Sequence, residues 1–151
     1  MKFVYDDGGR AAAGFKGSAG DCACRAIAIA TESNYVDIYK HLNLLGKEEK
    51  PSKKRRGSST ARSGVHHFTM RLIMAQMGWN WTPTMDIGTG CRVHMRLDEL
   101  PMGRIILSLS RHYCAVIDGV AHDTHDPSRG GTRCVYGYWS KADSPAQARA
   151  E

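Results

Sequence analysis

The stretch Arg111-His112-Tyr113-Cys114-Ala115-Val116-Ile117-Asp118-Gly119-Val120-Ala121-His122-Asp123 decides the fold. Its first half, from His112, is a strand-like apolar run, and Asp-Gly is a preferred dipeptide for a two-residue type I′ turn. The chain then resumes a strand pattern through Thr124, so the segment reads as a β-hairpin. Counting outward from the turn, Ile117 faces Val120, Cys114 faces Asp123 and His112 faces His125. Side chains alternate along a strand, which puts His112, Cys114, Asp123 and His125 on one face. Asp123 becomes the diagonal neighbour of His112, roughly 7–8 Å away between backbones. Asp126 points to the other face. The register therefore favours Asp123 over Asp126 as the carboxylate that orients the imidazole.

Outward from the hairpin, Arg104–Leu109 and Arg133–Trp139 also read as strands, and Gly78–Thr82 as a shorter one ending at Pro83. Upstream the periodicity is helical. Ala23, Ala26, Ile27 and Ala30 predict a helix from Cys22 to Glu32 with Asp21 as N-cap. Tyr35, Ile38, Tyr39, Leu42 and Leu45 predict a second, capped by Ser33 or Asn34 and ended by Gly46. A third runs from Val65 to Met77, closed by Gly78, with Phe68, Leu72, Ala75 and the methionines on its buried side. Residues 1–20 read as an irregular lead-in, and residues 84–103 as mixed, with a helical turn near Leu97–Leu100. Helices first and an antiparallel meander after them give one α+β domain over 1–140, with N-terminal helices packed on a C-terminal antiparallel sheet and a polar tail over 141–151.

At 151 residues the chain fits a single domain. No apolar run is long enough to span a bilayer, and Met1–Arg10 lacks the apolar core of a signal peptide, so the expected compartment is the cytoplasm. Five cysteines are an odd number for a disulfide framework and fit reduced thiols. Much of the net charge of +6 is local. Lys53, Lys54, Arg55 and Arg56 lie in a Lys/Ser/Gly/Arg stretch over 47–64 with no apolar periodicity, which reads as a flexible solvated loop. Those four residues are also the candidate contact for an acidic or nucleic-acid partner.

A thiol becomes a useful nucleophile when a helix N-terminus lowers its pKa. Cys22 and Cys24 both lie near the start of the first helix, and position alone does not choose between them. Gly20-Asp21-Cys22 running into Arg25-Ala26-Ile27-Ala28, followed by His112-Tyr113-Cys114-Ala115-Val116 and Val120-Ala121-His122-Asp123, resembles the papain-like cysteine peptidase superfamily. The flavour is that of small bacterial and phage proteins related to the bacteriocin-processing peptidases. The resemblance covers two short segments and the order of elements. It implies a papain-like fold and thiol-dependent cleavage of amide or isopeptide bonds. It makes Cys22 the nucleophile, His112 the general base and Asp123 the orienting acid. The pattern departs from the family upstream of the thiol, where members carry a Gln or Asn that completes the oxyanion hole. Here the stretch is Phe15-Lys16-Gly17-Ser18-Ala19, leaving Lys16 or Ser18 as donors.

Two other classes compete. Cys91-Arg92-Val93-His94 has zinc-knuckle spacing, with His122, His125, Cys22 and Cys24 as further donors, but no second knuckle completes a four-ligand set. Neither a metal nor a cofactor is therefore expected. The remaining alternative is a catalytically inactive papain-like module acting through binding.

Overall fold

The computed structural model describes residues 1–53 and 57–141. Three helices, α1 (Cys22–Thr31), α2 (Tyr35–Lys47) and α3 (His67–Gln76), precede most of the strands, β1 (Lys2–Tyr5), β2 (Trp79–Pro83), β3 (Val93–His94), β4 (Arg104–Leu109), β5 (His112–Ile117), β6 (Val120–Asp123), β7 (Cys134–Val135) and β8 (Gly137–Lys141). Six strands form one sheet in the order β1-β6-β5-β4-β8-β2, antiparallel except for the β1–β6 pair, and β3 pairs with β7 in a separate ribbon. The architecture is α+β.

The hairpin register is as read from the sequence: Ile117 pairs with Val120, Val116 with Ala121 and Ala115 with His122. Asp118 and Gly119 have φ of 47° and 79°, the two positive values a type I′ turn demands. Asp118 also accepts the Gly103 amide at 2.9 Å, tying the turn to the entry of β4.

Helix α1 packs over β5, β4 and β6. Ile27 of α1 shares an apolar cluster with Leu42, Ile73, Met74, Ile106, Ala115 and Trp139. The opposite sheet face, carrying Ile105, Leu107 and Val116, is covered by Met95, Leu100 and Val135. Strand β4 is accordingly buried along nearly all its length, as a strand with both faces covered must be.

Several sequence expectations are corrected. The lead-in is not wholly irregular, because Lys2–Tyr5 adds an edge strand parallel to β6. Asp21 makes no side-chain cap; its carboxylate is taken by other partners. At α2 the cap is Asn34, which accepts the amides of Val36 and Asp37. Gly46 does not end α2 but lies inside it, where a Cβ would sit 1.9 Å from the Ser59 carbonyl oxygen. On α3 the buried side is Thr69, Met70, Ile73 and Met74, leaving Phe68 and Leu72 exposed. Around Leu97 the chain makes a turn as expected, with the Glu99 amide donating to the Arg96 carbonyl at 3.1 Å. The strand expected over 133–139 is two strands broken at Tyr136. Strand β8 runs on to Lys141, since Ser140 pairs with Ile105 and Lys141 with Trp79, so the tail begins later; residues 142–151 lie outside the described residues.

The loop over 47–64 is only partly solvated. Glu49 gathers the Ser59 amide and hydroxyl and the Thr69 hydroxyl, and Ala61 is buried. Lys53 is exposed; Lys54, Arg55 and Arg56 lie outside the described residues. The expectation of five reduced thiols is also corrected, because Cys91 and Cys134 form a disulfide. An odd count accommodates one bridge and three free thiols equally well. No helix among the described residues is long and apolar enough to cross a membrane.

The close approach at Gly46 yields a test. Gly46→Ala drives a methyl into backbone that cannot swing aside, so it lowers unfolding free energy by about 1–3 kcal/mol, the usual cost of overpacking. Urea denaturation measures it.

Candidate active site

Cys22 is the first residue of α1, so its amide is one of the first-turn N–H groups with no helical acceptor. His112 is the first residue of β5, and Asp123 the last of β6. The hairpin register brings the latter two together: His112 Nε2 lies 2.6 Å from Asp123 Oδ2, with Asp123 only 3% exposed. With Nε2 engaged by the carboxylate, Nδ1 is the nitrogen left to face the Cys22 thiol, which lines the same cleft and lies near enough for each group to shift the other's ionisation. The three sequence-predicted residues therefore meet at one place.

Electrostatics separates the free thiols. Burial raises the pKa of Cys22, but the hydrogen bond and charge of His112, the Tyr113 backbone amide and Arg25 outweigh it, leaving the thiol below its ordinary value. Burial and the Asp21 carboxylate push Cys24 up to about 12. Burial and Asp123 push Cys114 well up. Burial would lower His112, yet Asp123 and Cys22 together hold it up at about 9. Asp123 itself, raised by burial, is brought below the usual carboxylate range by His112, the Thr124 amide and Arg25. These shifts favour a thiolate beside an imidazolium, backed by a carboxylate.

Arg25 is the residue that sequence reasoning missed. It sits three positions after Cys22 on the same helix, 8% exposed, and ion-pairs Asp21 on one side and Asp123 Oδ1 at 3.3 Å on the other. Asp21 is further held by the Tyr35 hydroxyl at 2.6 Å and by Arg10 at 3.4 Å. The available signal was a cation four residues after Asp21 in an otherwise Ala/Ile helix, where a buried charge requires partners.

The thiol opens into a cleft of about 650 Å³, with Gly20, Ser63, His67, Arg111, His125 and Tyr136 in its walls. Neither Lys16 nor Ser18 lines it; both turn backbone carbonyls to the Arg62 guanidinium. No Gln or Asn lines it among the described residues. The oxyanion donor that the site offers is the free first-turn amide of Cys22.

The zinc set of the sequence reading is dispersed. Cys91 is in the disulfide, His94 pairs with Glu99, His122 pairs with Asp6, and Cys24 is buried against the Tyr35 carbonyl. A different trio, His112, Asp123 and His125, has donor atoms within 4.8 Å of one another. A cation there would have to displace the His112 bond on Oδ2 and face the Arg25 guanidinium on Oδ1, which disfavours it.

Comparison with protein-family models, with curated proteins and with solved structures finds no match.

These ionisations make alkylation selective. Iodoacetamide near neutral pH modifies Cys22 ahead of Cys24 and Cys114, as peptide mapping by mass spectrometry will show. The Cys22 rate falls as pH drops below its lowered pKa, because the thiolate gains a proton. In His112→Ala the preference is lost, since burial alone raises the thiol.

Proposed function

We propose that the protein is a thiol-dependent amide hydrolase, a papain-like cysteine peptidase or amidohydrolase acting on peptide or isopeptide bonds. The observation that carries this reading is the His112 imidazole held between the Cys22 thiol and the Asp123 carboxylate at the mouth of an open cleft.

In the proposed reaction Cys22 Sγ attacks the carbonyl carbon, forming a C–S bond while the carbonyl electron pair moves to oxygen. The Cys22 amide stabilises that oxyanion. Collapse breaks the C–N bond, and the departing amine takes the proton from His112 Nδ1. Water then attacks the thioester, giving its proton to the now neutral His112, and the acid leaves as the thiolate and imidazolium are restored. Asp123 keeps the ring oriented throughout and favours its charged form, and Arg25 keeps Asp123 ionised. No step involves the Cys91–Cys134 pair, which lies outside the cleft lining. The chemistry therefore suits the cytoplasm, the expected compartment, where that pair would be held reduced, as well as an oxidising one.

Two variants and a pH profile test the reading, with cleavage of a mixed peptide library followed by mass spectrometry. Cys22→Ala abolishes product. His112→Ala lowers kcat/KM by about 10²–10⁴-fold, the usual contribution of general acid–base catalysis. Activity spans a plateau bounded below by protonation of the Cys22 thiolate and above, near pH 9, by loss of the His112 proton. Absence of any cleavage, together with slow and equal labelling of the three free thiols, would favour the inactive binding module.

A further inference from the structure

Helix α3 presents two apolar faces, and only one is buried. Met70, Ile73 and Met74 enter the core, while Phe68 is 67% and Leu72 39% exposed, with Ala75 following on the same side. Residues at i, i+4 and i+7 form a stripe, and a stripe of this kind turned to water costs free energy unless something covers it. Here it forms one wall of a groove of about 880 Å³, whose other wall is the half-buried Trp81 of β2, backed by the buried Trp79 of β2 and Trp139 of β8. Trp81 and Trp139 are in ring contact at 4.4 Å, and Gly137 lets Trp81 approach, since a Cβ there would lie 2.3 Å from the indole.

The groove adjoins the catalytic cleft across His67. His67, the first residue of α3, lines both, and its ring contacts Trp81 at 4.9 Å and Trp139 at 5.4 Å. The charge is one-sided. The Arg71 guanidinium lies 6.0 Å over the Trp81 ring, and no carboxylate is among the lining residues. In the cleft the sole carboxylate of the lining is Asp21, already taken by Arg25, Arg10 and Tyr35, while Arg111 is exposed.

We propose that this groove is a substrate subsite that takes an aromatic side chain of the polypeptide being cleaved, with an acidic neighbour facing Arg71. The inference rests on the hydrolase reading, because the occupant is the segment that also reaches Cys22. An aromatic ring suits walls of indole and phenyl, which favour edge-to-face and offset contacts. The acid suits the Arg71 cation, since among the described residues no carboxylate lines the groove.

All three tryptophans of the chain line this groove, so intrinsic fluorescence reports its occupancy directly. The experiment titrates the Cys22→Ala protein with acetylated, amidated dipeptides: Asp-Phe and Phe-Asp, their Ala counterparts, and Asn-Phe and Phe-Asn. The Phe peptides are expected to shift tryptophan emission saturably and to bind roughly tenfold or more tighter than the Ala peptides, given the apolar area of a phenyl ring. The Asp peptides should bind severalfold tighter than the Asn peptides, a difference erased by the exposed substitution Arg71→Met. Equal binding of Phe and Ala peptides, or emission that never shifts, overturns the proposal. The iodoacetamide rate of Cys22 in the unsubstituted protein separates the two claims. A fast Cys22 with no peptide preference sinks the subsite alone, and a slow Cys22 sinks the hydrolase reading whatever the groove binds.

Discussion

Asp123 is the hinge of the structure. One oxygen accepts His112 and the other faces Arg25, so a single buried carboxylate links the hairpin to the helix that carries the thiol. Removing any one of these charges would strand the others in a poorly solvated place, which is costly. The line continues through Arg25 to Asp21 and then to Tyr35 and Arg10. Alternating charges thus run from the lead-in through α1 to the hairpin, and the thiol stands at the end that meets the cleft. Its ionisation is a property of that row, not of Cys22 alone.

The apolar framework serves this placement. Ile27 anchors α1 on Ile106 and Ala115, which fixes the height of the first turn against the start of β5. The type I′ turn fixes the other coordinate, because one slip of register would send Asp123 to the opposite face. Asp118, bonded to Gly103, resists that slip from the turn side. Two rigid constraints, one hydrophobic and one from turn chemistry, therefore converge on the same three side chains.

Local rules made the hairpin legible. An Asp-Gly turn sets register by counting, and counting set His112 beside Asp123. The helices were legible in position because apolar spacing marks them, yet the face of α3 was not. Phe68 and Leu72 fit a helical stripe as well as Met70 and Ile73 do, and only the tertiary packing decides which stripe is covered. Gly46 misled for a related reason: glycine at a helix end and glycine under a crossing carbonyl look alike in sequence. The Cys91–Cys134 bridge joins residues 43 apart, which no local pattern reveals. Position alone does not separate Cys22 from Cys24, since both occupy the first turn; the family resemblance points to Cys22, and Cys22 is the thiol that lies beside the imidazole.

The central claim is a thiolate stabilised by His112 at position 22. Ultraviolet thiolate absorbance, followed against pH as the difference between the unsubstituted protein and Cys22→Ser, measures it without a substrate. The expected result is a thiolate that titrates below the ordinary thiol value and moves above that value in His112→Ala. A thiolate that appears only in the alkaline range, unchanged by removing the imidazole, would contradict it.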